Sequence, residues 1–289
     1  MSSELVTVHQ MPDLADPVLV MALDGWVDAG YGMRNAAEIM TQPDDGVLVA
    51  SFDADLLIDH RARRPTMTVR DGRVDDIRWP AISLQVVHDL DQQEFLMLHG
   101  PEPDFRWQAF CTAVDEVVQR LGVARAVTLG AYPAAVPHTR PVRLSATGTS
   151  QNLIERFGSP QGTLEVPAGI GAALSKRFEV AGLETVSVWA QVPHYASGSP
   201  FPAAAAALFQ GLRAVADLRF DSAPLIAEGL EVSRKLDAMI AQNASHQRLV
   251  GQLESAYDAS AGEQDTEIPT GDELAEELER FLRDQDESK

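Results

Sequence analysis

Val18-Leu19-Val20-Met21-Ala22-Leu23-Asp24-Gly25-Trp26-Val27-Asp28-Ala29-Gly30 is the stretch from which the fold is read. Val18–Leu23 is apolar without a break and too short for a buried helix, so it predicts a strand covered on both faces. The glycines that follow fit a tight turn, and Met33–Met40 then resumes at helical spacing. Runs of the same kind recur outward from it, at Val47–Phe52, Ile82–Val87, Phe95–Leu98, Ala126–Leu129 and Val186–Ala190. Helical patterns separate several of them, at Phe105–Leu121 and at Pro200–Leu218, the latter with Ser199 as its expected N-cap. Strand and helix in alternation predict an α/β protein, a three-layer α/β/α sandwich with a mostly parallel sheet.

Two segments depart from that rhythm. Thr66–Arg70 and Arg73–Trp79 flank Asp71-Gly72, a pair suited to the positive φ angles of a tight turn. This predicts an inserted β-hairpin over 66–79, attached to the main sheet. Beyond Pro224 the chain is expected to be helical for about 30 residues. Val232, Leu236, Met239, Asn243, His246, Val250, Leu253 and Tyr257 recur at spacings of four and three, a heptad seam that wants a partner helix in the same chain or in a neighbouring subunit. Asn243 and His246 are the polar members, and a polar residue in a seam can fix register. Asp258–Pro269 is expected to be a linker and Thr270, with Glu273 at capping-box spacing, the start of an amphipathic tail helix. The predicted organisation is a core over 1–222, a C-terminal helical extension over 223–257 and an acidic tail over 258–289.

Composition narrows the function. The 289 residues are 45% apolar and carry a formal net charge of -20. Such an acidic surface repels phosphate backbones and anionic headgroups, which argues against nucleic-acid and membrane partners. From Asp258 to Lys289 there are 12 acidic and 3 basic residues, so almost half the imbalance sits in the tail. Cys111 is the only cysteine, which leaves no internal disulfide and no multi-cysteine metal site. Met1–Asp16 has no basic patch ahead of an apolar segment, and no apolar run approaches the ~20 residues of a membrane span. A cytoplasmic location is the expectation.

In an open α/β sheet, ligands gather beyond the carboxyl ends of the strands. Three loops there hold the candidate residues. Asp24, Trp26 and Asp28 lie in the first, where the aspartates are either helix caps or a carboxylate pair at a ligand mouth. Tyr132, His138, Thr139 and Arg140 lie in and after Gly130-Ala131-Tyr132-Pro133. There Arg140 could fork onto a carboxylate or phosphate and His138 could move a proton, or Arg140 could instead pair with an aspartate of the first loop. His194 and Tyr195 lie in the third, lining a pocket or capping the sheet. Asp53, Asp55, Asp59 and His60 have the composition of a metal cluster without its spacing, so no metal is expected. No phosphate-loop, dinucleotide or nucleophile-elbow spacing is present, so no cofactor and no catalytic set is expected.

Asp24-Gly25-Trp26-Val27-Asp28-Ala29-Gly30, Val136-Pro137-His138-Thr139-Arg140-Pro141 and Val192-Pro193-His194-Tyr195, in this order and past these strands, resemble the bacterial branch of the proteasome assembly chaperone family. The resemblance runs from about Val18 to Ala256. It implies a sandwich with nucleoside-phosphorylase-like topology and a homo-oligomer, a trimer by family habit. It also implies a non-enzymatic protein-binding or assembly role with a protein partner, proteasome-related in some relatives. The alternative expectation is an enzyme or sensor that binds a nucleoside-like or phosphorylated small molecule at the strand ends.

Overall fold

A computed structural model describes residues 4–25, 27–42, 46–159 and 162–260. Its elements run β1 (Val6–Val8), β2 (Val18–Asp24), a 3-10 turn (Ala29–Tyr31) and α1 (Gly32–Thr41), then β3 (Val47–Phe52) and α2 (Ala54–Leu57). The hairpin strands β4 (Thr66–Arg70) and β5 (Arg73–Arg78) precede β6 (Ile82–His88), β7 (Glu94–Pro101), α3 (Trp107–Arg120) and β8 (Arg125–Ala134). The chain continues through β9 (Leu144–Gly148), α4 (Gln151–Glu155), α5 (Ile170–Val180) and β10 (Glu184–Pro193). A second 3-10 turn (His194–Ala196) leads to α6 (Pro202–Ala216), α7 (Ala223–Ile240) and α8 (Ala244–Ser260).

Eight strands form one mixed sheet in the order β1-β3-β6-β7-β2-β8-β10-β9. The opening strand lies at its centre, with β2 parallel to β7 on one side and to β8 on the other. Antiparallel strands complete the edges: β6 on β7, β3 on β6, β1 on β3, and β9 on β10. All six apolar runs named above are strands of this sheet. Leu19, Val20, Met21, Leu96, Met97 and Leu98 on the two central strands are fully buried. Each such side chain contributes about 1.5–3 kcal/mol by leaving water. The two strands that the sequence does not announce, β1 and β9, are edge strands of 3 and 5 residues.

Two compact units share the chain. The first holds residues up to 26, 40–128 and 168–185. Its core joins Phe52, Phe110, Val114, Leu174 and Phe178 around the central strands, with the Phe52 and Phe110 rings edge to face at 5.0 Å. Cys111 is buried there in α3, and burial pushes its thiol up to about 11, as befits a packing residue. The hairpin turns at Asp71 and Gly72, both at positive φ. It is a separate two-stranded sheet with no ladder to the main one among the described residues, which corrects the expected attachment. Residues 53–60 contain a short helix, α2, capped by Asp53 through the Leu56 N–H.

The second unit holds residues 27–39, 129–167 and 186 onward. Eleven residues of α6 are buried. Gly211 allows its close approach to β10, since a β-carbon there would lie 2.7 Å from Val188 Cγ1. The helix begins at Pro202, so Ser199 is not its cap. The expected single helix beyond Pro224 is two helices, α7 and α8, broken at 241–243. Asn243 explains the break: its Oδ1 accepts from the Ser245 N–H and Oγ–H at the start of α8. It is a helix cap rather than a register residue of a continuous seam. α8 runs through Ser260, so Asp258–Ser260 are helical and not linker; the rest of the expected linker and the tail helix from Thr270 lie outside the described residues. No helix among the described residues is long and apolar enough to cross a membrane.

Candidate functional site

The three loops fare differently. Asp28 of the first accepts from the Met33 and Arg34 N–H groups at 2.7 and 2.9 Å, so its carboxylate is the cap of α1. Gly30 then turns the chain at φ +63°, donates to the Ser197 carbonyl and accepts from the Phe201 N–H. A β-carbon at Gly30 would sit 2.5 Å from that of Phe201, so the first and third loops meet only because this residue is glycine. Asp24 is drawn elsewhere: its carbonyl accepts from Arg63 and from the Glu102 N–H in the first unit. Trp26 lies outside the described residues.

The second and third loops close on each other through His138, whose side chain is wholly buried. The His138 backbone N–H donates to the Tyr195 hydroxyl oxygen at 2.9 Å. The same hydroxyl is 2.8 Å from Nδ1, and Nε2 is 3.1 Å from Asp237 Oδ1 on α7. Every group is satisfied when the Tyr195 hydroxyl donates to Nδ1 and Nε2–H donates to the carboxylate. Burial pushes the Tyr195 phenol up to about 12, with Glu254 and Asp237 adding to the effect. That phenol donates a proton in hydrogen bonds and is no nucleophile near neutrality. His194 is buried edge to face against Tyr195, with ring centroids 5.3 Å apart.

Arg140 does not pair with an aspartate of the first loop, contrary to one of the expectations above. It pairs with α8. Its Nε and Nη2 fork onto the two carboxylate oxygens of Asp258 at 2.8 and 2.7 Å, and its Nη1 reaches Glu254 at 3.2 Å. Thr139 donates to the same Glu254 carboxylate. The bond from Arg140 holds the Asp258 carboxyl below the usual carboxylate range. Arg143 completes the clasp: its guanidinium lies 3.5 Å over the Tyr257 ring and donates to the Tyr257 carbonyl and to Ser260 Oγ. Tyr257 in turn donates to the Pro141 carbonyl.

Tyr132 stands apart from this clasp, its hydroxyl 3.2 Å from Ser145 Oγ and its ring edge to face with Trp189. Burial raises its phenol. Trp189 packs on Gly130, where a β-carbon would meet the indole at 2.4 Å. Gln191, 3% exposed, lies beside the same hydroxyl with its Oε1 buried and without a hydrogen-bond partner. Of the seam residues, Val250 and Leu253 are buried, Leu236, Asn243 and His246 half-buried, and Met239 exposed. Asp237, Arg143, Glu254 and Asp258 were not among the residues singled out from the sequence. Their one local signal is the four-residue interval between Glu254 and Asp258, which puts both carboxylates on one helix face.

This arrangement ties loops and helices together and offers no activated nucleophile. The sequence profile of the PAC2 family matches residues 22–240. The chain belongs to the PAC2 family. A protein of unknown function from Corynebacterium glutamicum is 34% identical, over 90% of this chain and 98% of that one, with a TM-score of 0.84. A Mycobacterium tuberculosis protein of unknown function is 36% identical over 91% and 92%, with a TM-score of 0.82. A proteasome-assembly chaperone homologue from the same organism is 30% identical over 81% and 99%, with a TM-score of 0.73. No curated protein matches. PAC2 membership agrees with the resemblance carried by the three loops and with the α/β fold read from the strands.

Proposed function

We propose that this PAC2 protein is a non-enzymatic, assembly-chaperone-like protein that acts in the cytoplasm as a homo-oligomer and binds another protein. The observation behind this reading is the state of the loops at the strand ends. His138 is enclosed by Tyr195 and Asp237, and Arg140 is engaged by Asp258 and Glu254, so the groups best suited to catalysis serve as structural ties. Similarity to a Mycobacterium tuberculosis proteasome-assembly chaperone homologue supports the direction. Pull-down from native cytoplasm is expected to recover a stoichiometric protein partner, proteasome subunits being the first to look for. Recovery of the chain alone under mild salt overturns the reading.

The hairpin supports self-association. Cross-strand pairs Met67–Ile77 and Val69–Val74 form an apolar face with Trp79 next to it, and all five are exposed. An isolated two-stranded ribbon is marginal in water. Residues 61–80 carry six arginines against three aspartates on a chain of net charge -20, so a second copy of this acidic chain is the complementary occupant. Val74→Glu with Ile77→Glu is expected to shift the mass measured by light scattering from oligomer to monomer; a monomeric wild type refutes the point.

A second reading, a sensor or enzyme for a nucleoside-like or phosphorylated small molecule, is favoured by Gln191. Its buried, unpartnered Oε1 beside Tyr132 and Trp189 is an acceptor that a ligand's N–H would satisfy. A thermal-shift screen of nucleosides and phosphorylated metabolites tests it, since a ligand at 100 times its Kd stabilises by about 2.7 kcal/mol. A blank screen removes it.

A further inference from the structure

α8 lies on the second loop in an unusual way. Only Val250 and Leu253 of its 17 residues are buried, and hydrogen bonds, ion pairs and a cation–π contact join it to the loop. Three side chains of the loop do the holding, Thr139, Arg140 and Arg143, together with the Pro141 carbonyl. The loop also has ties of its own that do not involve α8. Pro137 and Pro141 stiffen it, His138 anchors it to Tyr195, and the Arg143 carbonyl accepts from the Gln191 N–H at the edge of the sheet. A preformed loop that carries two guanidiniums and a hydroxyl remains a recognition surface when the helix on it departs. Departure is geometrically simple, because 241–243 break the helix between α7 and α8.

The shape of the present occupant defines what the surface recognises. It is a helix with two carboxylates one turn apart, Glu254 and Asp258, and between them the Tyr257 carbonyl accepts a hydrogen bond from Arg143. We infer that the cradle of Thr139, Arg140 and Arg143 is a docking site for an acidic helical segment of a partner protein, with carboxylates four residues apart, and that α8 occupies it in cis as a built-in competitor. The inference rests on the protein-binding reading above and supplies the chemistry of the partner. Intramolecular tethering gives α8 a high effective concentration, so only a partner with further contacts, or a weakened clasp, displaces it.

The test uses the full chain, wild type and with Glu254→Gln and Asp258→Asn together, and as probe a fluorescein-labelled peptide with the sequence of Ala244–Ser260. Anisotropy is expected to show the peptide binding the double variant about tenfold more tightly than wild type, a typical coupling between competing sites. Adding Arg140→Ala to the double variant is expected to remove that gain. Hydrogen exchange supplies a second readout: the α8 amides of the double variant exchange faster, while those of α6 do not change. Equal binding to both proteins, no binding to either, or unchanged α8 exchange overturns the inference. So does equal binding of a scrambled peptide of the same charge, or full competition by millimolar inorganic phosphate, either of which makes the cradle a plain anion site. A pull-down partner that is retained by the full chain carrying Arg140→Ala removes this inference alone, whereas absence of any partner removes the broader reading.

Discussion

α6 and α8 are helices of 15 and 17 residues in the same compact unit, and they are held by opposite means. α6 buries eleven residues, among them Leu208, Phe209 and Leu212, with the Phe209 ring stacked on Phe220 at 4.8 Å. α8 buries two and is clasped by charges. Apolar burial is strong, non-directional and not weakened by charge screening. A clasp of partly exposed ion pairs is weak, directional and screened. The first kind of helix defines the fold and stays; the second can be placed with accuracy and still be given up.

The largest effect expected is in α6. Leu208→Ala removes a fully buried side chain and is expected to cost about 2–5 kcal/mol in urea unfolding. Leu253→Ala on α8, at 9% exposure beside solvated neighbours, is expected to cost clearly less. Equal costs would break the comparison, because α8 would then be core.

Gly30→Ala comes next. The residue combines positive φ with contact against Phe201, so strain and overpacking together are expected to cost about 2–4 kcal/mol. The loss should appear as a lower urea midpoint with unchanged slope. A neutral result would mean that the first and third loops are not locked together at this point.

The tie between the second and third loops predicts a pH dependence. Tyr195 has its phenol raised from the ordinary ~10 to about 12, so the protonated form is favoured on folding. Its contribution is complete below the ordinary phenol range and is lost as pH rises toward about 12. Between about pH 10 and 12 the melting temperature of wild type is expected to fall more steeply than that of Tyr195→Phe. Parallel curves would show that the hydroxyl is not held as described. Cys111 and Tyr132 are raised in both proteins and cancel in the comparison.

How much of this was legible follows the same division. Uninterrupted apolar runs such as Val18–Leu23 declare buried strands, and Asp71-Gly72 declares the hairpin turn, because both signals are local. β9 was silent, since Leu144-Ser145-Ala146-Thr147-Gly148 is a short edge strand with polar Ser145 and Thr147 among its five residues. The break at 241–243 hid inside a heptad spacing that continues across it, although Asn243-Ala244-Ser245 is itself a helix-start signal. That Gly30 is a turn glycine could be read from its sequence; that it abuts Phe201 could not. The clasp was beyond reach for a physical reason. Arg140 and Asp258 are 118 residues apart, and an arginine on a loop can choose among many acids on a chain of net charge -20.

The smallest effect on global stability separates the two helices most sharply. Arg140→Ala breaks a forked pair with Asp258 and a contact with Glu254, all partly exposed, so the denaturant midpoint is expected to change little. Locally the change should be far larger, because α8 buries only Val250 and Leu253: its amides are expected to exchange faster while those of α6 keep their protection. Acid should do the same to wild type. The Asp258 carboxyl is lowered by Arg140, so its contribution is complete above the ordinary carboxylate range near ~3.9 and is lost as pH falls below it. Salt should act in the same sense as the mutation and have a smaller effect on Arg140→Ala, where Arg143 is the cation still facing Asp258. A helix α8 that stays protected in Arg140→Ala at high salt would be held by Val250 and Leu253 instead, and the distinction between the two helices would be one of degree.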